Sequence, residues 1–455
     1  MPVRRSERPS SRCRRRGAAL ALLPLLLAGA PAAHADDALA AAVEAIEPKV
    51  VAWRRDIHQH PELGNREFRT SALVAEHLKG LELDVETGVA HTGVVGTLVG
   101  GRPGPVIALR ADMDALPVTE RVDLPYASKV RSMYNGQDVG VMHACGHDAH
   151  VAILMGVAEI LTARREAIPG TIKFFFQPAE EGPPPGEEGG AELMVKEGVM
   201  RNPTVDAVFG LHVNSVLQTG QIAYRPGGTM ASAESFRIVL RGKQSHGAYP
   251  WNSVDPIVTA TQVVMGLQTI VSRNVELTEG AAVVTVGRIN GGVRANIIPE
   301  QVELEGTLRA LNDETRALLR TRVREVATQI AAAMGATAEV VVPDGVSYPV
   351  THNDPDLTAR MLPSLQRAAG AENVVLRPAV TGAEDFSFFA QEAPGLFVFL
   401  GGRDPALPEA QAPGHHTPEF AIDDRGLDLG VRVMAQLALD YLGGAAPGDI
   451  ASRVE

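Results

Sequence analysis

Val106-Ile107-Ala108-Leu109-Arg110-Ala111-Asp112-Met113-Asp114 is the stretch on which the fold turns. Its first four residues are apolar without alternation, as in a strand covered on both faces of a parallel sheet. It then runs straight into two carboxylates. The pattern recurs downstream. Residues 172–176 form an apolar run that ends in Gln177-Pro178-Ala179-Glu180-Glu181-Gly182, and residues 207–211 form another that ends in His212. Residues 151–163 between them read as a helix. Strands alternating with helices, each strand delivering ionisable residues at its carboxyl end, predict an open α/β sheet with a site along those ends. Upstream, residues 37–60 carry apolar side chains three and four apart (Leu39, Val43, Ile46, Val50, Trp53, Ile57), a helical period closed by Pro61. A second helix is expected over 70–79 and a strand over 93–99.

Near residue 226 the period changes. Residues 234–241 alternate as a strand, 254–271 form an amphipathic helix, and 282–289 form another strand. Residues 301–309 alternate most cleanly, with Val302, Leu304, Gly306 and Leu308 between Gln301, Glu303, Glu305, Thr307 and Arg309. A helix over 313–334 and a strand over 337–342 complete a β-α-β-β-α-β order. That order predicts a four-stranded antiparallel sheet with both helices on one face. Residues 227–343 therefore read as an inserted α+β domain, splitting a catalytic domain into 36–226 and 344–455. In the second part, helices are expected over 355–369 and 427–442 and an apolar strand over 395–400.

The chemistry concentrates in His143-Ala144-Cys145-Gly146-His147-Asp148-Ala149-His150, where a thiol, three imidazoles and a carboxylate stand within eight residues. These are the side chains that bind divalent metals. Together with the strand-end residues they make a candidate set of Asp112, Asp114, Cys145, His147, Glu180, Glu181, His212 and His416. On an extended segment Glu180 and Glu181 point in different directions, so one can bind metal while the other faces substrate as a general base. Taken alone, Glu180-Glu181 and His415-His416 read as solvated loop pairs; the assembly argues otherwise.

With 455 residues, 45% of them hydrophobic, the chain can bury a sizeable core. Its first 35 residues differ from the rest. Seven arginines between Arg4 and Arg16 precede an apolar run over 18–30, and Ala33-His34-Ala35 is a small-x-small cleavage signature. The expectation is a signal peptide over 1–35 and a secreted or periplasmic protein, with an uncleaved anchor as the alternative. Removal leaves 35 basic and 53 acidic residues, a formal net charge of −18 instead of −12. That charge argues against a nucleic-acid partner and against stable membrane association after cleavage. It also leaves Cys145 as the one thiol, which metal coordination would protect from oxidation; a buried inert cysteine is the alternative.

The chain resembles the aminoacylase/carboxypeptidase family of dinuclear metallohydrolases, in the amidohydrolase branch that includes hippurate hydrolases and plant auxin-conjugate hydrolases. The resemblance runs from about residue 50 to 440. It is carried by the stretches 56–64, 109–117, 143–150, 175–182, Ser245-His246-Gly247-Ala248, Asn296-Ile297-Ile298-Pro299, 382–386 and His416-Thr417-Pro418. It implies a zinc-peptidase-like α/β fold with an inserted dimerisation lid. It also implies two divalent ions per subunit, zinc or manganese first and cobalt or nickel next. Cys145, His147, Glu181, His212 and His416 are the implied ligands, and Glu180 is the implied general base. Much of the wider family has His-x-Asp where this chain has Asp112-Met113-Asp114. Asp114 is accordingly expected to orient a ligand, and Asp112 has no assigned role; nor do His143, Asp148, His150, Glu384 and Asp385. By resemblance His246 reaches the partner subunit's site in a homodimer and stabilises the oxyanion, and Asn296 helps hold the substrate carboxylate. The expected activity is metal-dependent hydrolysis of the amide bond of N-acyl amino acids or similar small conjugates. A carboxypeptidase or dipeptidase is the alternative within enzymes, and a non-catalytic solute- or metal-binding protein is the alternative outside them.

Overall fold

The computed structural model describes residues 32–278, 280–345 and 347–444, with side chains from residue 37. Residues 1–31 of the expected signal segment lie outside these, and residues 32–35 open the first helix. Eight strands build the main sheet: β1 (Asp84–Val89), β2 (Gly93–Val99), β3 (Arg102–Asp112), β4 (Pro169–Gln177), β5 (Ala207–Gln218), β6 (Ile222–Tyr224), β7 (Val374–Leu376) and β8 (Gly395–Arg403). Their spatial order is β1-β2-β4-β3-β5-β8-β6-β7. The central four, β4, β3, β5 and β8, are mutually parallel, and β2 and β6 flank them antiparallel. The fold is thus α/β with a mixed, largely parallel sheet.

The apolar runs are continuous because both faces are covered. In β4, Ile172, Phe174 and Phe176 enter one core, with helices α1 (Ala32–Gln59), α2 (Phe68–Gly80), α3 (His147–Thr162) and Leu427–Leu442, while Phe175 enters another with Gly190–Glu197 and Phe386–Glu392. Each fully buried Phe contributes roughly 1.5–3 kcal/mol. α3 lies close against α1 and Leu427–Leu442; a Cβ at Gly156 would come within 2.8 Å of Val50 Cγ2 and 3.4 Å of Val431 Cγ2.

The lid is a second sheet with its own core. Strands Ala282–Gly291, Gln301–Ala310, Ala233–Arg241 and Thr337–Val341 lie in that order, all antiparallel. Val302, Leu304 and Leu308 point into the core with helices Pro256–Asn274 and Asp313–Ala333. Asp255 caps the first helix by accepting from the N–H groups of Ile257 and Val258, and Asn312 caps the second at Thr315. A short fifth strand, Ser347–Tyr348, pairs with Ala233 and Glu234 and lies past residue 343. The two connections to the main sheet, Gly227–Met230 and Thr351–Asn353, pair with each other.

Two sequence expectations shift. α3 begins at His147 rather than 151, so His147, Asp148 and His150 occupy its first turn. β5 does not stop at residue 211; it continues to Gln218, and His212 lies in mid-strand.

Candidate metal centre

Backbone geometry brings the expected ligands together. Between Cys145 and His147, Gly146 has φ +95°, and a Cβ there would lie 2.2 Å from Val213 Cγ1. Only glycine lets the chain turn into α3 this close to β5. The turn presents Cys145 and His147 to His212 from β5. Cys145 Sγ lies 3.4 Å from His212 Nε2 and 3.3 Å from His416 Nε2. His416 Nε2 lies 2.9 Å from Glu181 Oε1. Among five groups of candidate ligands, each with ligand atoms within 4.8 Å of one another, two hold the implied ligands alone: Cys145-His147-His212 and Cys145-Glu181-His416. They share one atom, the Cys145 sulfur. Three ligands from different elements with room for a further one are what a reactive ion requires.

The hydrogen bonds decide which nitrogen is free. His212 Nδ1 donates to the Val213 carbonyl at 2.6 Å, so its Nε2 carries the lone pair. His147 Nδ1 lies 3.2 Å from Asp114 Oδ1, and its Nε2 is buried without a hydrogen-bond partner. Asp114 accepts in addition from the N–H of Glu180 and of Glu181, at 3.0 Å each. One carboxylate therefore orients a ring and the Glu180-Glu181 segment together.

The residues fit two cations. Glu181 Oε1 is also buried without an aligned hydrogen bond. Burial opposes protonation of His147, yet the carboxylates of Asp112 and Asp114 outweigh it and raise the ring to about 10. The position favours positive charge at Nε2, and a divalent ion supplies it without a proton. Burial, then the carboxylates of Glu181, Glu180 and Asp112, push the Cys145 thiol well above its ordinary value, so a thiolate there needs a cation beside it. Burial and the charges of Glu384, Glu181, Asp385 and Asp112 likewise raise Glu180 well above the carboxylate range. Once nearby cations ionise it, that group is a strong base, and none of the described residues donates a hydrogen bond to its carboxyl oxygens.

Other members of the opening octapeptide face elsewhere. His150 Nε2 accepts from the Val213 N–H at 2.8 Å and its Nδ1 donates to Asp112 Oδ1 at 2.5 Å, leaving no lone pair. Asp112 spends its other oxygen on Arg110, at 2.6 Å. Asp148 pairs with Arg54 Nε at 2.9 Å and His58 Nδ1 at 2.7 Å. His143 is buried with neither ring nitrogen hydrogen-bonded, and burial pushes it down to about 3.

Sequence reasoning left Glu384 and Asp385 unassigned, and the structure gives them partners. Arg110 reaches Asp112, Glu384 Oε1 at 2.9 Å and Asp385 Oδ1 at 3.0 Å, and donates from Nε to Gln177 at 2.7 Å. This buried cluster ties the ends of β3 and β4, which carry Asp114 and Glu180. His415 was read only as half of a loop pair, and it stands 3.6 Å from Cys145 Sγ. His246 and Asn296 lie together on a lid ladder, Ser245–His246 against Ile297–Ile298, where the Gly247 N–H donates to the Asn296 carbonyl at 2.8 Å. Both are exposed, and neither lines the cavity of its own chain.

That cavity, of about 770 Å³, opens beside the two triads. Val216, Phe399, Met230 and Val380 give it an apolar wall, and Arg309 of the lid and Arg377 of the main domain also face it. Neither guanidinium has an ion-pair partner among the described residues, and burial lowers Arg309.

A largely parallel α/β sheet that ends in two thiol-linked triads of candidate ligands and a buried carboxyl group fits a dinuclear metallohydrolase. The chain belongs to peptidase family M20/M25/M40, whose model matches residues 108–440. It is 40% identical over 400 residues to thermostable carboxypeptidase 2 of Saccharolobus solfataricus, covering 88% of this chain and 97% of that protein. It is 39% identical over 401 residues to IAA-amino acid hydrolase ILR1-like 2 of Arabidopsis thaliana (87% and 86% covered). With N-acetylcysteine deacetylase of Bacillus subtilis it shares 37% identity over 403 residues (88% and 98% covered). Among solved structures it superposes on the Bacillus subtilis YXEP protein, a dinuclear metal-binding peptidase of the M20 family, with TM-score 0.73 at 34% identity, covering 88% of this chain and 99% of that one. The chain is a metal-dependent amidohydrolase that binds two divalent ions.

Proposed function

We propose that this enzyme cleaves the amide bond of N-acyl amino acids, with water adding across the C–N bond to release a carboxylic acid and a free amino acid. The observation that carries the reading is Glu180: a buried carboxyl group without a fixed donor, beside two triads joined at Cys145 and open to the cavity. Cys145, His147 and His212 hold one ion, and Cys145, Glu181 and His416 hold the other. The ions supply Lewis acidity toward a carbonyl and a water molecule. Glu180 takes the proton of the attacking water and passes it to the leaving nitrogen. Asp114 keeps His147 in the tautomer that leaves Nε2 free. Arg309 and Arg377 supply positive charge for the carboxylate of the released amino acid, and the wall of Val216, Phe399 and Met230 takes its apolar part. Relatives named for an amino-acid conjugate and an N-acetyl amino acid support this substrate class.

The thiolate with imidazoles suits zinc, and the carboxylate in the second triad suits manganese; cobalt and nickel are the next candidates. The basic, apolar and small-residue order of residues 1–35 supports export to the periplasm or medium. Among the described residues no helix is long and apolar enough to cross a membrane. The lid supports a homodimer in which His246 and Asn296 of one subunit complete the site of the other; they are together, exposed, and do not line their own cavity. A formal net charge of −12 argues against nucleic acid as a partner.

The experiment is hydrolysis of a panel of N-acyl amino acids and dipeptides, with added divalent ion and with chelator. The expected result is turnover of the acyl amino acids that chelator abolishes and metal restores. Glu180→Gln should lower kcat about 10²–10⁴-fold while both ions remain bound. Full activity in excess chelator, or a Gln variant near the parent's rate, would refute the assignment.

A further inference from the structure

His415 touches the metal centre without belonging to either triad. Its ring is half-buried, lying 4.9 Å from the Phe420 ring and 5.4 Å from that of His212. The Ser215 N–H donates to His415 Nε2 at 3.2 Å, so Nε2 is the acceptor and the ring proton resides on Nδ1. That Nδ1 lies 3.6 Å from Cys145 Sγ, within range for a hydrogen bond to sulfur. Ser215 is itself held, its hydroxyl donating to the Pro413 carbonyl at 2.6 Å. A line of polarised groups therefore runs from the far end of β5 through an imidazole to the shared sulfur.

We propose that His415 is a positioning residue for the bridging thiolate: its Nδ1–H donates to Cys145 Sγ and sets how strongly that sulfur binds both ions. The inference rests on the two-ion reading of the site. A hydrogen bond to a thiolate withdraws some electron density from it, which lowers its lone pairs in energy, and fixes those lone pairs in direction; for affinity the fixed direction outweighs the lost donation. Because one sulfur serves both triads, a single N–H tunes two ions together. The nearby Cys145 carbonyl is the competing acceptor for the same proton, and the test separates the two.

The cobalt(II)-loaded holoenzyme provides that test through the absorption band that arises from thiolate-to-cobalt charge transfer. In His415→Leu the band should move to lower energy, and metal affinity measured by competition with a chelator should fall about 10–100-fold. His415→Gln, which restores an N–H donor, should bring both back toward the parent. A parent band left unmoved in His415→Leu would overturn the hydrogen bond while leaving the two-ion reading intact. A parent with no thiolate band would overturn Cys145 as a ligand, and this proposal with it.

Discussion

Asp148 follows His147 directly, yet its carboxylate faces α1, away from the candidate ligands. Successive residues on a helix point about 100° apart, so the side chain after a ligand is turned away from the metal centre. It is buried against Arg54 and His58 from α1. Although burial opposes ionisation, these two cationic groups hold Asp148 well below the usual carboxylate range. Burial also opposes protonation of His58, and Asp148 outweighs it and raises that ring above its ordinary value. The signs define a window. Asp148 contributes stability above the ordinary carboxylate pKa of about 4, and loses it as pH falls through its depressed value. His58 contributes below about 6.5, and loses it as pH rises through its raised value. The pair is strongest between these limits. Asp148→Asn leaves Arg54 buried with one charged partner fewer, and should cost about 3 kcal/mol near pH 5.5. Denaturant titrations across pH 3–8 check this: the variant's deficit should shrink toward pH 3, and a pH-independent deficit would contradict the charge pairing.

At the scale of elements, legibility followed burial. Residues 301–309 alternate because one face of the lid sheet packs on two helices and the other meets solvent and cleft. The four parallel strands were visible as apolar runs because helices cover both faces. Elements with little buried area left no such mark. The hairpin Arg131–Tyr134 and Gln137–Gly140 is nearly all exposed, β1 is mostly exposed, and β6 and β7 are three residues each. The start of α3 was misplaced because its first turn is filled with polar groups satisfied by tertiary partners, Asp112, Asp114 and Arg54, which periodicity cannot anticipate. The same limit hid the Arg110 cluster and His415. Each depends on residues distant in sequence, and nothing local to Glu384, Asp385 or His415 announces a buried cation or a sulfur nearby. The candidate ligands were legible because strand ends and a helix start deliver them, and the topology then brings them to one place.

At the scale of the molecule, the lid shows surface that a monomer leaves uncovered. Ala282–Gly291 is an edge strand of the lid sheet with Ile289 58% exposed, while Met265 on the adjacent helix and Val293 are 67% and 96% exposed. An open edge beside exposed apolar side chains is a pairing surface. If two lids join there, Ile289→Lys should yield monomers by sedimentation that keep both ions yet turn over at least tenfold more slowly. Monomers at the parent's rate would remove His246 and Asn296 from the reaction. The whole account depends, however, on two ions meeting at one sulfur. X-ray absorption at the zinc edge of the zinc-loaded enzyme, with elemental analysis of the same sample, tests that most directly. The predicted result is two zinc ions per chain, each with one sulfur neighbour at about 2.3 Å. A spectrum with only nitrogen and oxygen neighbours would contradict it.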